Sequence, residues 1–282
     1  MNRIATIQLT SSQHVSRNLA LAAELITTAA EEGAKLVFLP ENFAALASPD
    51  IAQIALQESS AAGPIRSFLA DQARSSNVWI VAGTVPVSTR PDGVSVPDAR
   101  VRAASFVYDQ AGIEVARYDK IHMFDVNIDD NQKNYMESDV FEAGTELVVV
   151  DTPVGRLGLS VCYDIRFPEM YRALLHKGAQ IISIPSAFTR TTGEAHWQIL
   201  TRSRAIENAC YVVAACQWGN HDSGRQTWGE SIVVDPWGRT LNIQADGIGV
   251  GFAEIDLTEL NSIRSDMPLG TQARLDIVAP DE

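Results

Sequence analysis

RVRAASFVYDQAGIEVARYD, residues 100–119, decides the fold class. Two runs rich in β-branched and aromatic residues, 101–109 and 113–119, flank Gln110-Ala111-Gly112, and a short connection containing glycine is hairpin chemistry. A second device of the same kind joins ESIVV (230–234) to RTLNI (239–243) through Asp235-Pro236-Trp237-Gly238. Outward from these hairpins, short apolar runs at 4–9, 35–39, 78–82, 147–150, 157–161, 181–184 and 211–215 read as strands. KLVFL at 35–39 is apolar enough to be buried on both faces. Helices are predicted over 15–32, where Leu19, Ala22, Ala23 and Ile26 share a face and Gly33 ends the run, and over 64–76, with Pro64 in the first turn. Two more are predicted over 168–177 and 194–208. Hairpins mixed with helical crossovers favour two packed sheets under outer helices over one doubly wound sheet. No repeat or linker divides the chain, which reads as a single domain over 1–282; residues 87–98, rich in Pro, Ser and Asp, read as an exposed loop.

Composition narrows the function classes. The 282 residues are 46% hydrophobic, enough for a sizeable core without disulfide or metal staples. A net charge of -13 and a pI near 4.8 argue against sequence-independent nucleic-acid binding, which needs a basic face. Anionic small molecules stay open, because a local arginine can hold a carboxylate inside an acidic protein. The three cysteines, Cys162, Cys210 and Cys216, are too sparse and odd in number for a disulfide framework and point to a reducing, cytoplasmic compartment. The opening MNRIATIQLTSS reads as a first strand and not as a signal peptide. No stretch approaches the roughly 18 apolar residues of a membrane span. With five scattered histidines and no HxxxH or CxxC pair, neither a metal nor another cofactor is expected.

Three titratable residues directly follow apolar strands: Glu41 after KLVFLP, Lys120 after VARYD and Cys162 after GRLGLSV. Strand ends are where α/β proteins gather their sites. Singly, each has a plainer reading: a loop carboxylate, a solvated lysine, a small core thiol. Cys210 and Cys216, set among apolar neighbours, take that plainer reading. Together the three supply one chemistry. A thiol attacks an amide carbon only as thiolate and needs a base nearby. The tetrahedral intermediate carries an oxyanion that needs preorganised donors. Carboxylate, thiol and ammonium fill the roles of base, nucleophile and oxyanion donor, with no histidine required.

LPENF (39–43), YDKIHMFD (118–125) and GRLGLSVCYDIRFPE (155–169) resemble, in this order, the three signature blocks of the nitrilase superfamily. The likeness runs on through PSAF, TGEAHW, RSRAIEN and VVDPWG. It implies a four-layer α-β-β-α sandwich that pairs as a homodimer or higher homo-oligomer. It implies Glu41 as general base, Lys120 as oxyanion stabiliser and Cys162 as the nucleophile that forms a thioester. It implies, too, that the backbone N–H of Tyr163 completes the oxyanion hole and that Glu137, in YMESD, orients Lys120 and the substrate.

Within the superfamily the chain is most similar to the branch acting on small-molecule amides of 2-oxo acids. That resemblance implies Arg166, Phe188 and Thr192 as substrate-binding residues. Arg166 reads alternatively as a structural partner of Glu169 or Asp164, Phe188 as core, and Thr192 as a helix cap before GEAHW. His196 and Trp197 read as packing residues and His221 as a loop residue. The Gln217, Gly219, His221, Arg225 pattern in AACQWGNHDSGRQTWGESIVVDPWG (214–238) resembles the enzymes that cleave deaminated glutathione to 2-oxoglutarate and Cys-Gly. Cleavage of 2-oxoglutaramate, an N-carbamoyl amidase, and a non-catalytic binding protein on the same fold are the alternatives.

Overall fold

In the computed structural model, which describes residues 2–130 and 134–275, the decisive hairpin pairs strand Arg102–Tyr108 antiparallel with strand Glu114–Asp119. Its turn is an Asx device: Asp109 Oδ1 accepts from the N–H groups of Ala111 and Ile113, both at 2.9 Å. The pair belongs to a seven-stranded sheet in the order Gly249–Glu254, Arg3–Gln8, Leu36–Phe38, Trp79–Val81, Arg102–Tyr108 and Val85–Val87, with Glu114–Asp119 added on Arg102–Tyr108. The second sheet has six strands, in the order Thr240–Gln244, Ser231–Val234, Tyr211–Ala214, Ile181–Ser183, Gly155–Leu159 and Val149–Thr152. Each sheet has three parallel strands flanked by antiparallel ones. Parallel neighbours need long crossovers and antiparallel ones need only turns, which is why helical and hairpin signals alternate in the sequence.

Side-chain alternation sorts the first sheet between two cores. Ile4, Leu36, Phe38, Val81 and Val107 join Leu157, Leu159, Ile181 and Val212 of the second sheet in one apolar cluster. Their neighbours Ala5, Val37, Ile80 and Phe106 pack in another, with Ala22, Ile26 and Ala29 of helix Val15–Glu31 and Ile65, Leu69 and Ala73 of helix Pro64–Ser76. A register slip of one residue would exchange the two sets, so burial on both faces fixes the pairing. Helices Pro168–His176 and Arg190–Asn208 cover the second sheet through Tyr171, Leu174, Trp197 and Ala205. The result is the expected α-β-β-α stack.

The departures from the sequence reading have local causes. Helix Arg190–Asn208 starts four residues before 194, capped by the Thr189 side chain. Gly193 sits inside it because a Cβ there would come within 2.2 Å of Trp228 Cβ. The short helix Ile51–Gln57, hairpins Asp125–Asn127/Asn134–Met136 and Trp218–Asn220/Gln226–Trp228, strand Gly249–Glu254 and helix Leu257–Asp266 were not expected. Most of 87–98 is exposed, but Val87 and Val96 are buried.

Arg90 in that loop binds Glu142 with two hydrogen bonds, 2.9 and 2.7 Å, and Arg102 pairs with the same carboxylate. The Arg90 hydrogen bonds first, and the Arg102 charge as well, push the Glu142 carboxyl down to about 2 from 4.5. A depressed acid contributes stability above its unfolded pKa and loses it as pH falls through the folded one. The urea midpoint should therefore fall between pH 4.5 and about 2, and Glu142→Gln should flatten that part of the profile.

Candidate active site

Each of the three strand-end residues emerges where its strand runs out. Glu41 follows Leu36–Phe38 by three residues, Lys120 directly follows Glu114–Asp119, and Cys162 opens the short 3-10 helix Cys162–Arg166 after Gly155–Leu159. Close backbone approaches hold the first two. Gly83, at φ +57, has Pro40 O so near that a Cβ would stand 2.0 Å from it, and Gly144 N donates to Lys120 O at 2.8 Å. Cys162 itself has φ +47. A left-handed conformation is strained for a residue with a Cβ and persists only where surrounding bonds over-determine it. Here Cys162 N donates to Pro185 O at 2.9 Å and Val161 N to Asp164 Oδ2 at 2.8 Å.

The Lys120 ammonium, 2% exposed, donates to Glu41 Oε1 at 2.9 Å and to both Glu137 oxygens at 2.7 and 2.8 Å. Glu41 Oε2 in turn accepts from Ala187 N at 2.8 Å, and Glu137 Oε2 from Phe124 N at 2.6 Å. Burial alone would pull the Lys120 pKa down. The charges of Glu137 and Glu41 outweigh it, so the ammonium is held above its ordinary value and stays protonated. The Cys162 thiol moves up as well, first through burial and then through the Glu41 carboxylate, with Lys120 opposing. A neutral thiol, a carboxylate and an ammonium therefore stand together at rest. An ammonium has three donors, and the three carboxylate oxygens engage all of them; a substrate oxygen gains an N–H by displacing one of the two Glu137 oxygens.

Glu41, Lys120, Glu137, Cys162, Tyr163, Phe188 and Thr192 all line one cavity of about 280 Å³. Arg166 is not on its wall. Its guanidinium lies 5.2 Å from the Phe188 ring centre and 5.9 Å from that of Tyr163, and its Nη1 is 3.3 Å from His196 Nδ1. No ion pair joins it to Glu169 or Asp164 among the described residues. Asp164 is engaged elsewhere: fully buried, it accepts from Tyr118 OH, Val161 N and His122 N, with His122 Nδ1 at 2.7 Å. It thereby ties the segment after Lys120 to the turn that carries Cys162. Thr192 Oγ1 shares a 2.8 Å hydrogen bond with Thr189, the actual cap. Cys210 and Cys216 are buried in the core, and burial pushes the Cys210 thiol up to about 11.

The Gln217, Gly219, His221, Arg225 pattern proves to be site architecture. Gln217 Nε2 donates to Glu41 O at 3.0 Å and to Ser11 Oγ at 2.8 Å. Gly219 has φ +88. His221, buried, bridges Ser11 O and Thr227 Oγ1 at 2.8 Å each, and burial lowers its pKa. Arg225, Tyr135 and Asn42 reach the cavity wall. Only the spacing of the pattern was visible in sequence, since its partners lie far along the chain.

A four-layer sandwich with glutamate, lysine and cysteine converging at its strand ends is the architecture of the nitrilase superfamily. Residues 3–265 match the carbon-nitrogen hydrolase family, and the chain belongs to that family. It is 43% identical over 266 residues to a deaminated glutathione amidase of Yersinia enterocolitica, covering 94% of this chain and 91% of that one. The crystal structure of Saccharomyces cerevisiae Nit3, a member of branch 10 of the nitrilase superfamily, superposes with a TM-score of 0.85 at 30% identity, covering 97% of each chain. An amidase from Nesterenkonia sp. AN1 superposes at 0.76 with 27% identity over 95% of this chain and 98% of that one; its E41Q mutant carries acrylamide on the active-site cysteine.

Proposed function

We propose that this carbon–nitrogen hydrolase cleaves deaminated glutathione to 2-oxoglutarate and Cys-Gly through a thioester on Cys162. The observation that carries the reading is Lys120 held between Glu41 and Glu137 on the wall that also presents the Cys162 thiol. Glu41 takes the thiol proton as the sulfur attacks the amide carbon. The oxyanion is met by a Lys120 N–H that leaves one of its two Glu137 oxygens and by the Tyr163 N–H, which lies at a helix start, where N–H groups have no intrahelical acceptor. Glu41 returns the proton to the departing amine, and Cys-Gly leaves the 2-oxoglutaryl thioester behind. Water, deprotonated by Glu41, then releases 2-oxoglutarate and regenerates the thiol. Phe188 and Thr192 frame the oxo-acid end, and Arg166, one ring removed from the cavity, supplies a positive field for its carboxylate.

One domain spans residues 1–282 in this reading. Homodimer formation is supported by exposed Ile199, Ile206 and Trp237: the two isoleucines share one helix face and Ile206 lies against the Gly238 turn. Three free cysteines support a cytoplasmic location. No helix among the described residues is long and apolar enough to cross a membrane.

The test is steady-state hydrolysis of deaminated glutathione beside 2-oxoglutaramate, with Cys162→Ala as the blank. Preference for deaminated glutathione, abolished in a folded Cys162→Ala protein, is the expected result. Preference for 2-oxoglutaramate would keep the mechanism and change the substrate; a Cys162→Ala protein that turned over normally would remove the mechanism itself.

A further inference from the structure

Beside the cavity of the reacting centre lies a second one of about 420 Å³, and the two share Ala47, Tyr135 and Arg225 as wall. In a chain with a net charge of -13, this outer chamber is unusual in presenting two arginines, Arg190 and Arg225. Neither forms an ion pair among the described residues. Asp130, also on its wall, accepts a 2.8 Å hydrogen bond from Tyr135 OH.

Arg225 is held in place and left partly unsatisfied. Its backbone carbonyl accepts from His221 N at 2.9 Å, and the buried His221 ring fastens that turn to Ser11 and Thr227. One guanidinium nitrogen donates to Ala187 O at 3.2 Å, on the residue whose N–H holds Glu41. The guanidinium carbon stands 5.7 Å from the Tyr135 ring centre. Yet its Nε is buried with no hydrogen-bond partner. A fixed guanidinium on the wall common to both cavities, with no carboxylate paired to it among the described residues, is arranged to receive an anion.

We propose that Arg225, with Arg190 beside it, forms a leaving-group subsite that binds the terminal carboxylate of a peptide amine. The inference rests on the amidase reading above and adds which residue selects the departing half of the substrate. An amide whose leaving group is ammonia has nothing to place there. A Cys-Gly leaving group extends from the thiol toward Tyr135 and sets its glycyl carboxylate against the Arg225 fork.

Three substrates with a common acyl group test it: deaminated glutathione, its C-terminal primary amide, and 2-oxoglutaramate, each with wild type, Arg225→Gln and Arg225→Lys. Wild type should favour the free acid over its C-terminal amide by about 10- to 100-fold in kcat/KM, the worth of a charged hydrogen bond, chiefly through KM. Arg225→Gln should erase that ratio, and Arg225→Lys, a point charge without the fork, should keep part of it. Because each ratio is taken within one variant, loss of folded protein cancels. No free-acid preference in wild type, or an undiminished one in Arg225→Gln, would overturn the subsite. If wild type turns over 2-oxoglutaramate under either result, the amidase reading stands and only the subsite is judged. If wild type cleaves none of the three, that reading falls and the subsite falls with it.

Discussion

Glu41→Gln is expected to lower amide turnover by about 100- to 10,000-fold, the usual contribution of a positioned general base, while shifting alkylation of Cys162 to lower pH. The two effects have opposite sign because Glu41 does two things to the thiol. In the proposed mechanism it accepts the thiol proton during attack, and its negative charge also resists thiolate formation at rest. Burial is the first cause of the raised Cys162 pKa, the Glu41 charge the second, and Lys120 acts against both. The glutamine is nearly isosteric, but its single oxygen can accept from Lys120 or from Ala187 N and not from both, and it takes no proton and carries no charge. With the anion gone and the cation retained, the thiolate becomes easier to form.

The measurement is iodoacetamide incorporation at the Cys162 peptide across pH, followed by mass spectrometry so that Cys210 and Cys216 are counted separately. In wild type the thiol should alkylate with a midpoint above that of an ordinary cysteine. In Glu41→Gln the midpoint should fall. A midpoint that rises or stays put would mean that Glu41 is not a charged neighbour of the sulfur, and the assignment of base and nucleophile would have to be redrawn.

The sequence exposes the three candidate residues of the site better than their supports, for a physical reason. Glu41, Lys120 and Cys162 each end an apolar run, so a local pattern marks them. Asp164 acts through Tyr118 and His122, Gln217 through the Glu41 carbonyl, and Arg225 through Ala187. Those contacts join segments that no local periodicity relates. Arg166 shows the converse. Four residues past Cys162 is close along the chain, yet the 3-10 turn carries its side chain toward the Phe188 and Tyr163 rings and off the cavity wall. Among the elements, the two hairpins at 102–119 and 231–244 were legible because turn chemistry brackets apolar runs. The three-residue strands at 125–127, 218–220 and 226–228 are too short to show a period. The helix expected from 194 begins at Arg190 because the Thr189 side chain caps it, and Gly193 inside it leaves room for Trp228.

Lys120→Ala is expected to do more than slow the reaction. Turnover should fall at least a hundredfold, as for loss of an oxyanion donor, and the fold should lose about 3–5 kcal/mol, the usual penalty for removing one partner of a buried pair. The larger part of that loss comes from what remains. Glu41 and Glu137 lie close enough to share one ammonium, and without it a buried carboxylate and a half-buried one face each other with only Ala187 N and Phe124 N as donors among the described residues. A double-mutant cycle separates this repulsion from the cavity left by the lysine stem. Glu137→Gln removes one of the two charges and keeps the volume. Stability measured by urea denaturation should therefore show Lys120→Ala/Glu137→Gln less destabilised than the sum of its single variants, with a coupling of about 1–3 kcal/mol. Additivity would mean that the ammonium and Glu137 do not interact, and would remove Glu137 from the orientation of Lys120. Turnover should not recover alongside stability, because neither variant restores an N–H at the oxyanion position.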